Sequence, residues 1–81
     1  MSPNDRLLWR LLEDILLIEE DQFRDEYGPD EIETWDSLAM VNIASAVEKE
    51  FGHAMTPEEM VSLGSIGDIK SILRARGVRF E

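Results

Sequence analysis

The sequence predicts an all-α fold: a small four-helix bundle with a short third helix and a long first loop. Three observations point there. Apolar residues recur at helical spacing in three stretches, beginning at Leu8, Met40 and Ile66. Four candidate helices each start on a capping residue, at Ser2, Asp36, Thr56 and Ser65. No stretch alternates apolar and polar residues as a half-buried strand does.

Ser2 caps the first helix, with Pro3 at its first position and Asp5 at its third. Leu8, Leu11, Leu12, Ile15 and Ile18 then follow helical spacing. Arg6, Arg10, Glu13 and Asp14 fall on the other side, and Trp9 and Leu17 lie between. The pattern predicts a helix over residues 3–17, with Arg10 paired to Asp14 one turn on. Residues 18–36, IEEDQFRDEYGPDEIETWD, form a connection holding half of all the acids, with a turn at Gly28-Pro29-Asp30. A loop of this length needs pins in a compact domain, and Phe23, Tyr27, Ile32 and Trp35 are the candidates.

The second helix opens after Asp36 and ends near Phe51, where Gly52 suits a left-handed stop. Thr56-Pro57-Glu58-Glu59 is a capping box with proline at the first helical position, opening a helix of one or two turns to about Leu63. After Gly64, Ser65 and Asp68 cap a last helix with Ile66, Ile69, Ile72 and Leu73 on one face, and Gly77 ends it. Val78 and Phe80 are placed to fold back onto the core.

The 81 residues are read as one domain, 1–81. A body this small buries only about 60% of its unfolded surface, which weighs against a deep catalytic cleft and an enzyme. With 18 Asp plus Glu against 8 Lys plus Arg, the net charge is −10. Like charge disfavours nucleic acid and anionic membranes, and the field steers basic proteins in. There is no cysteine, hence no disulfide framework and no thiol of the protein's own. The start Met-Ser-Pro-Asn-Asp lacks the character of a secretory signal, and no apolar run approaches the roughly 20 residues of a membrane span. A cytoplasmic monomer without membrane insertion is the expectation.

At about 100° per residue, Met40, Ile43, Ala44, Val47 and Phe51 cluster on one side of the second helix as its core stripe. Leu38 lies roughly opposite that stripe and Val41 roughly 100° from its centre, while Asn42, Ser45 and Lys49 share the outer face. A scattered surface leucine needs no explanation by itself. Leu38 and Val41, however, stand beside Ser37, at the first helical position with its hydroxyl toward solvent. An anion esterified there meets free N–H groups and the positive end of the helix dipole. Asp36 opposes it, so an enzyme modifying Ser37 has to manage that charge, for which a bound Mg²⁺ is suited.

Asp36-Ser37-Leu38, the helix ending in Glu50-Phe51-Gly52, then Met55-Thr56-Pro57-Glu58-Glu59, Leu63 and Ser65-Ile66-Gly67-Asp68-Ile69 resemble the acyl carrier protein family, without gaps from Asp36 to about Leu73. The resemblance implies that Ser37, flanked by the motif residue Asp36, carries a 4′-phosphopantetheine arm. A separate phosphopantetheinyl transferase would deliver it from coenzyme A, with Mg²⁺ needed only for that reaction. The arm's thiol would hold an acyl or aminoacyl cargo as a thioester; the protein would supply position and recognition, with no catalytic residue and no specific metal site. Leu38, Val41, Asn42, Ser45 and Glu48 would form the face met by the transferase, an acyl- or aminoacyl-loading enzyme and a downstream synthase or transferase.

Two departures stand out. Ala39, Asn42, Ser45 and Lys49 occupy places along the outer face where carriers of fatty-acid synthesis have acids, leaving Glu48 as the main one. Ile32-Glu33-Thr34-Trp35 replaces that family's apolar–acid–leucine–glycine lead-in. The tryptophan before Asp-Ser-Leu looks more like free-standing carriers of specialised pathways, such as polyketide extender units, polysaccharide acylation or aminoacyl transfer. Trp35 also reads simply as a core pin.

Other candidates are weaker. His53, the sole histidine, sits in a turn without a sequence partner for a metal or a triad. The acids from Glu19 to Glu26 lack the ligand order and central glycine of an EF-hand. Met40, Met55 and Met60 read as core filler. An unmodified acidic helical interaction module explains size, charge and Leu38 equally well, but not the serine between Asp36 and Leu38. A hydrolase using Ser37 lacks a base and an oxyanion site.

Overall fold

The computed structural model describes residues 1–80. It contains α1 (Pro3–Leu16), α2 (Ser37–Phe51), α3 (Pro57–Val61) and α4 (Ile66–Ala75), with one 3₁₀ turn at Glu20–Gln22 in the first connection. The described residues contain no strand, and the four-helix arrangement with its short third helix is the one expected of an acyl-carrier fold.

Local chemistry sets the helix starts. Ser2 Oγ accepts from the Asp5 N–H, Asp36 from Ala39, Thr56 from Glu59 and Ser65 from Asp68. Each bond satisfies a donor that the first turn leaves free. At Thr56 the Glu59 carboxylate reaches back to the Thr56 N–H at 2.9 Å, completing the capping box.

α1 ends at Leu16, one residue earlier than expected, because Leu17 takes the left-handed region at φ 55°. A leucine with positive φ is uncommon. Here it turns Leu17 outward and brings Ile18 inward to 5% exposure. Ile18 therefore belongs to the core without belonging to the helix. The expected Arg10–Asp14 ion pair does not form among the described residues. Both are exposed, and such pairs contribute little there.

The core joins Leu8, Leu11, Leu12 and Leu16 of α1, Ile43 and Val47 of α2 and Ile66, Ile69 and Leu73 of α4. From the first connection come Ile18, Ile32 and Trp35, with Phe23 and Tyr27 packed against them at partial burial. The candidate pins all reach the core. Phe80 is buried and Val78 packs against the cluster, as expected. Asn4 Nδ2 donates to the Arg79 carbonyl at 3.0 Å, tying the C-terminal tail to α1.

Two expectations for α2 and α3 need correcting. Ala39, placed by the resemblance along the outer face, is buried at 5%, while Met40 and Phe51 are only partly buried. The buried side of α2 is Ala39, Ile43, Ala44 and Val47. The first connection brings Ile32 and Trp35 into the same cluster as Ala39, so the covered side extends beyond the stripe that periodicity picks out. α3 stops at Val61, two residues before Leu63, and contributes no buried residue. Leu63 is the anchor that follows it, at 3% exposure. Met40 and Met55 pack against the core; Met60 is half-buried outside the cluster.

Candidate functional site

α2 presents its first turn at the surface. Asp36 Oδ1 accepts from the Ala39 N–H at 2.8 Å, and the Asp36 carbonyl accepts from Met40 N–H at 3.0 Å. The N–H groups of Ser37 and Leu38, the other two free donors of that turn, have no protein acceptor among the described residues. Ser37 itself is exposed. A phosphoester at its hydroxyl therefore fits: the residue is exposed, two N–H groups remain open and the helix dipole favours the charge.

The neighbouring surface is mixed. Leu38 is 69% exposed and Val41 54%, so both apolar side chains stand in solvent beside the serine. Asn42, Ser45, Glu48 and Lys49 are exposed along the same helix. Asp36, also exposed, holds its carboxylate against the first turn through the Ala39 bond. His53 lies past the opposite end of α2, roughly 20 Å along the helix axis from Ser37, too far to act as its base. No group of three or more His, Asp or Glu side chains is placed to hold a metal ion among the described residues. No helix among them is long and apolar enough to cross a membrane.

Two buried side chains were not singled out by spacing in the roles they take. Trp35 is 4% exposed, and its Nε1, a donor only, has no hydrogen-bond partner among the described residues. Lys70 of α4, 9% exposed overall, places Nζ 3.2 Å from Asp5 Oδ1 and 2.8 Å from Asp25 Oδ1. The ammonium also stands 5.0 Å from the centroid of the Phe23 ring. Lys70 thus joins α1, the first connection and α4 around one charge. Burial disfavours the charged form of Asp5, but the Ser2 hydroxyl and the Lys70 ammonium outweigh it and hold the carboxyl below its ordinary value. A periodic apolar pattern cannot reveal such a lysine, because its partners come from distant parts of the chain.

A family model described as a phosphopantetheine attachment site matches residues 35–73, the segment from Trp35 through α2 and α3 into α4. No curated protein matches the chain. Over that segment, 39 of the 81 residues, the chain is similar to phosphopantetheine-carrying carrier domains. Carrier domains of this kind bear a 4′-phosphopantetheine group derived from coenzyme A and work with a phosphopantetheinyl transferase and the enzymes of a pathway.

Proposed function

We propose that Ser37 is the residue that carries the arm, and that residues 1–81 form one cytoplasmic carrier domain presenting an acyl or aminoacyl intermediate to biosynthetic enzymes. The observation that carries this reading is the exposed hydroxyl at the first position of α2, beside two unclaimed N–H groups and inside the matched segment. When bound, the arm supplies a thiol that this cysteine-free chain lacks, able to hold cargo as a thioester. The chain's own residues orient it: Asp36 caps the turn that presents Ser37, and the core fixes α2 behind it.

Leu38 and Val41 are the apolar contacts of the partner face, flanked by Asn42, Ser45 and Glu48. Exposed apolar side chains beside the tether let a partner enzyme bury area at the point where the cargo must be delivered. Ala39 takes no part in that face, because it is buried. The scarcity of acids along the outer side of α2 favours a free-standing carrier of a specialised pathway over one of general fatty-acid synthesis.

The test is direct. Incubation with coenzyme A, Mg²⁺ and a broad-specificity phosphopantetheinyl transferase adds the mass of one arm, and Ser37→Ala adds none. An unmodified wild type with a competent transferase would leave an acidic interaction module as the better reading.

A further inference from the structure

Leu17 occupies a backbone conformation that suits glycine, and its side chain stands in solvent. Its φ of 55° and ψ of 40° lie in the left-handed region. A side chain strains the backbone there, and helix stops of this kind commonly fall on glycine, as α2 stops on Gly52. The turn itself has a use, since it brings Ile18 into the core. The leucine side chain has little use inside the molecule. Glycine makes the same turn without strain, and Leu17 is 79% exposed. Leu17 thus costs stability by strain and recovers little of it by burial.

Its place in the fold supplies a reason. The Thr34 hydroxyl donates to the Leu16 carbonyl, which fastens the end of α1 to the segment leading into α2. Thr34 stands three residues before Ser37, a span of about 10 Å at most. Leu17 and Ser37 therefore share one end of the bundle. A standard interface covers about 800 Å² on each partner, roughly 30 Å across, so an enzyme face centred on Ser37 extends over Leu17. Exposed carboxylates flank both positions in the chain: Glu19 and Glu20 follow Leu17, and Glu33 and Asp36 precede Ser37. Arg24 is the single cation of residues 17–36. Leu17 and Leu38 are thus exposed leucines in acidic surroundings, complementary to an apolar enzyme surface bordered by Arg or Lys.

We propose that Leu17 is a docking contact for the phosphopantetheinyl transferase, extending the apolar face of Leu38 and Val41 across the end of α1. This rests on Ser37 as the tether. The transferase is the partner that this place suits. Its active site has to reach the Ser37 hydroxyl itself, whereas enzymes that act on the cargo meet the far end of the arm. Strain at Leu17 is then the cost of holding an apolar side chain out for a partner, at a turn where glycine would offer nothing to bury.

The experiment compares arm transfer to wild type, Leu17→Gly, Leu17→Asn and Leu17→Met. Coenzyme A, Mg²⁺ and the broad-specificity transferase are supplied, product is read by intact mass, and stability by thermal melting. Glycine and asparagine both suit the left-handed turn, so Leu17→Gly should melt at or above the wild-type temperature and Leu17→Asn close to it. Their kcat/KM should nonetheless fall about tenfold, with the loss carried by KM. Leu17→Met keeps the apolar bulk and should stay within about twofold of wild type. Equal kcat/KM for wild type and the glycine and asparagine variants overturns the inference and leaves the tether standing. So does a loss that Leu17→Met shares in full, because apolar bulk is then not what the transferase reads. A loss that accompanies a lowered melting temperature in both the glycine and asparagine variants assigns Leu17 to the fold and also overturns it. A wild type that gains no arm from a competent transferase is seen by mass alone, and overturns the tether and the inference with it.

Discussion

The two connections flanking α2 are built in opposite ways. Before α2, residues 17–36 place Ile18, Ile32 and Trp35 in the core, and their backbone is stitched to α4: Ile66 N–H donates to the Tyr27 carbonyl at 2.8 Å and Gly67 N–H to Asp25 at 2.9 Å. Those carbonyls satisfy donors at the start of α4. After α2, α3 buries none of its own residues, and Val61 is 83% exposed. Its hold on the bundle is the Leu63 anchor, partial burial of Met55 and a 2.6 Å pair between Glu59 and Arg76. The acid-rich loop is the fixed side, held by the pins its apolar residues supply, and a well-capped helix is the loosely held one. Capping shapes a helix; buried area and long-range bonds decide how firmly it is attached. Ser37 stands at the junction with the firm side.

The sharpest way to break this contrast is at Gly28. A Cβ built there would lie 1.9 Å from the Gly64 carbonyl oxygen, which is backbone and cannot swing away. Gly28→Ala should cost about 3 kcal/mol, read as a lowered urea midpoint, since overpacking forces the two segments apart. A midpoint equal to wild type would show that the first connection is not locked to α4.

Lys70 is the next lever. Lys70→Met removes the cation shared by Asp5 and Asp25 and should cost about 2 kcal/mol, because Asp5 is left with its side chain only 13% exposed and without its counter-charge. Asp5→Asn in that background should recover part of the loss, and a double-mutant cycle reads the coupling. Additive losses would mean that the pair is not a unit. The same site predicts acid sensitivity. The Asp5 carboxyl is held below its ordinary 3.8, so its contribution is complete above that value and disappears as pH falls through the lower folded value. Stability of wild type should therefore drop more steeply on acidification below about pH 4 than that of Asp5→Asn. Parallel curves would remove Asp5 from the account.

The smallest global effect belongs to α3. Glu59 is held below its ordinary value by the Arg76 guanidinium and by the Thr56 backbone N–H. Yet Glu59→Gln should scarcely move the denaturation midpoint, because α3 buries nothing of its own. It should instead speed hydrogen exchange across residues 57–61 while leaving residues 28–36 protected. Equal protection in both segments would erase the distinction between the two connections.

Much of this was legible in the chain. Ser2, Asp36, Thr56 and Ser65 cap the helices they were expected to cap, and the Gly52 backbone turns left-handed at φ 75° where α2 stops. Leu38 and Val41 are exposed as periodicity places them, beside an exposed Ser37. Ala39 misled because the resemblance, and not the periodicity of α2, put it on the outer face, whereas Ile32 and Trp35 widen the core around it. Lys70 went unread because charge at a helical position looks solvated until its partners are known.

The sequence by itself determined where helices begin and which serine stands at the mouth of α2, since a cap and its N–H lie three residues apart and need no distant partner. Only the tertiary structure decided which loop is rigid, that Asp5 and Asp25 converge on Lys70, and that the Trp35 N–H is enclosed without an acceptor among the described residues. Those outcomes depend on groups remote along the chain being brought within a few ångströms, where burial and charge act through space and not through sequence spacing.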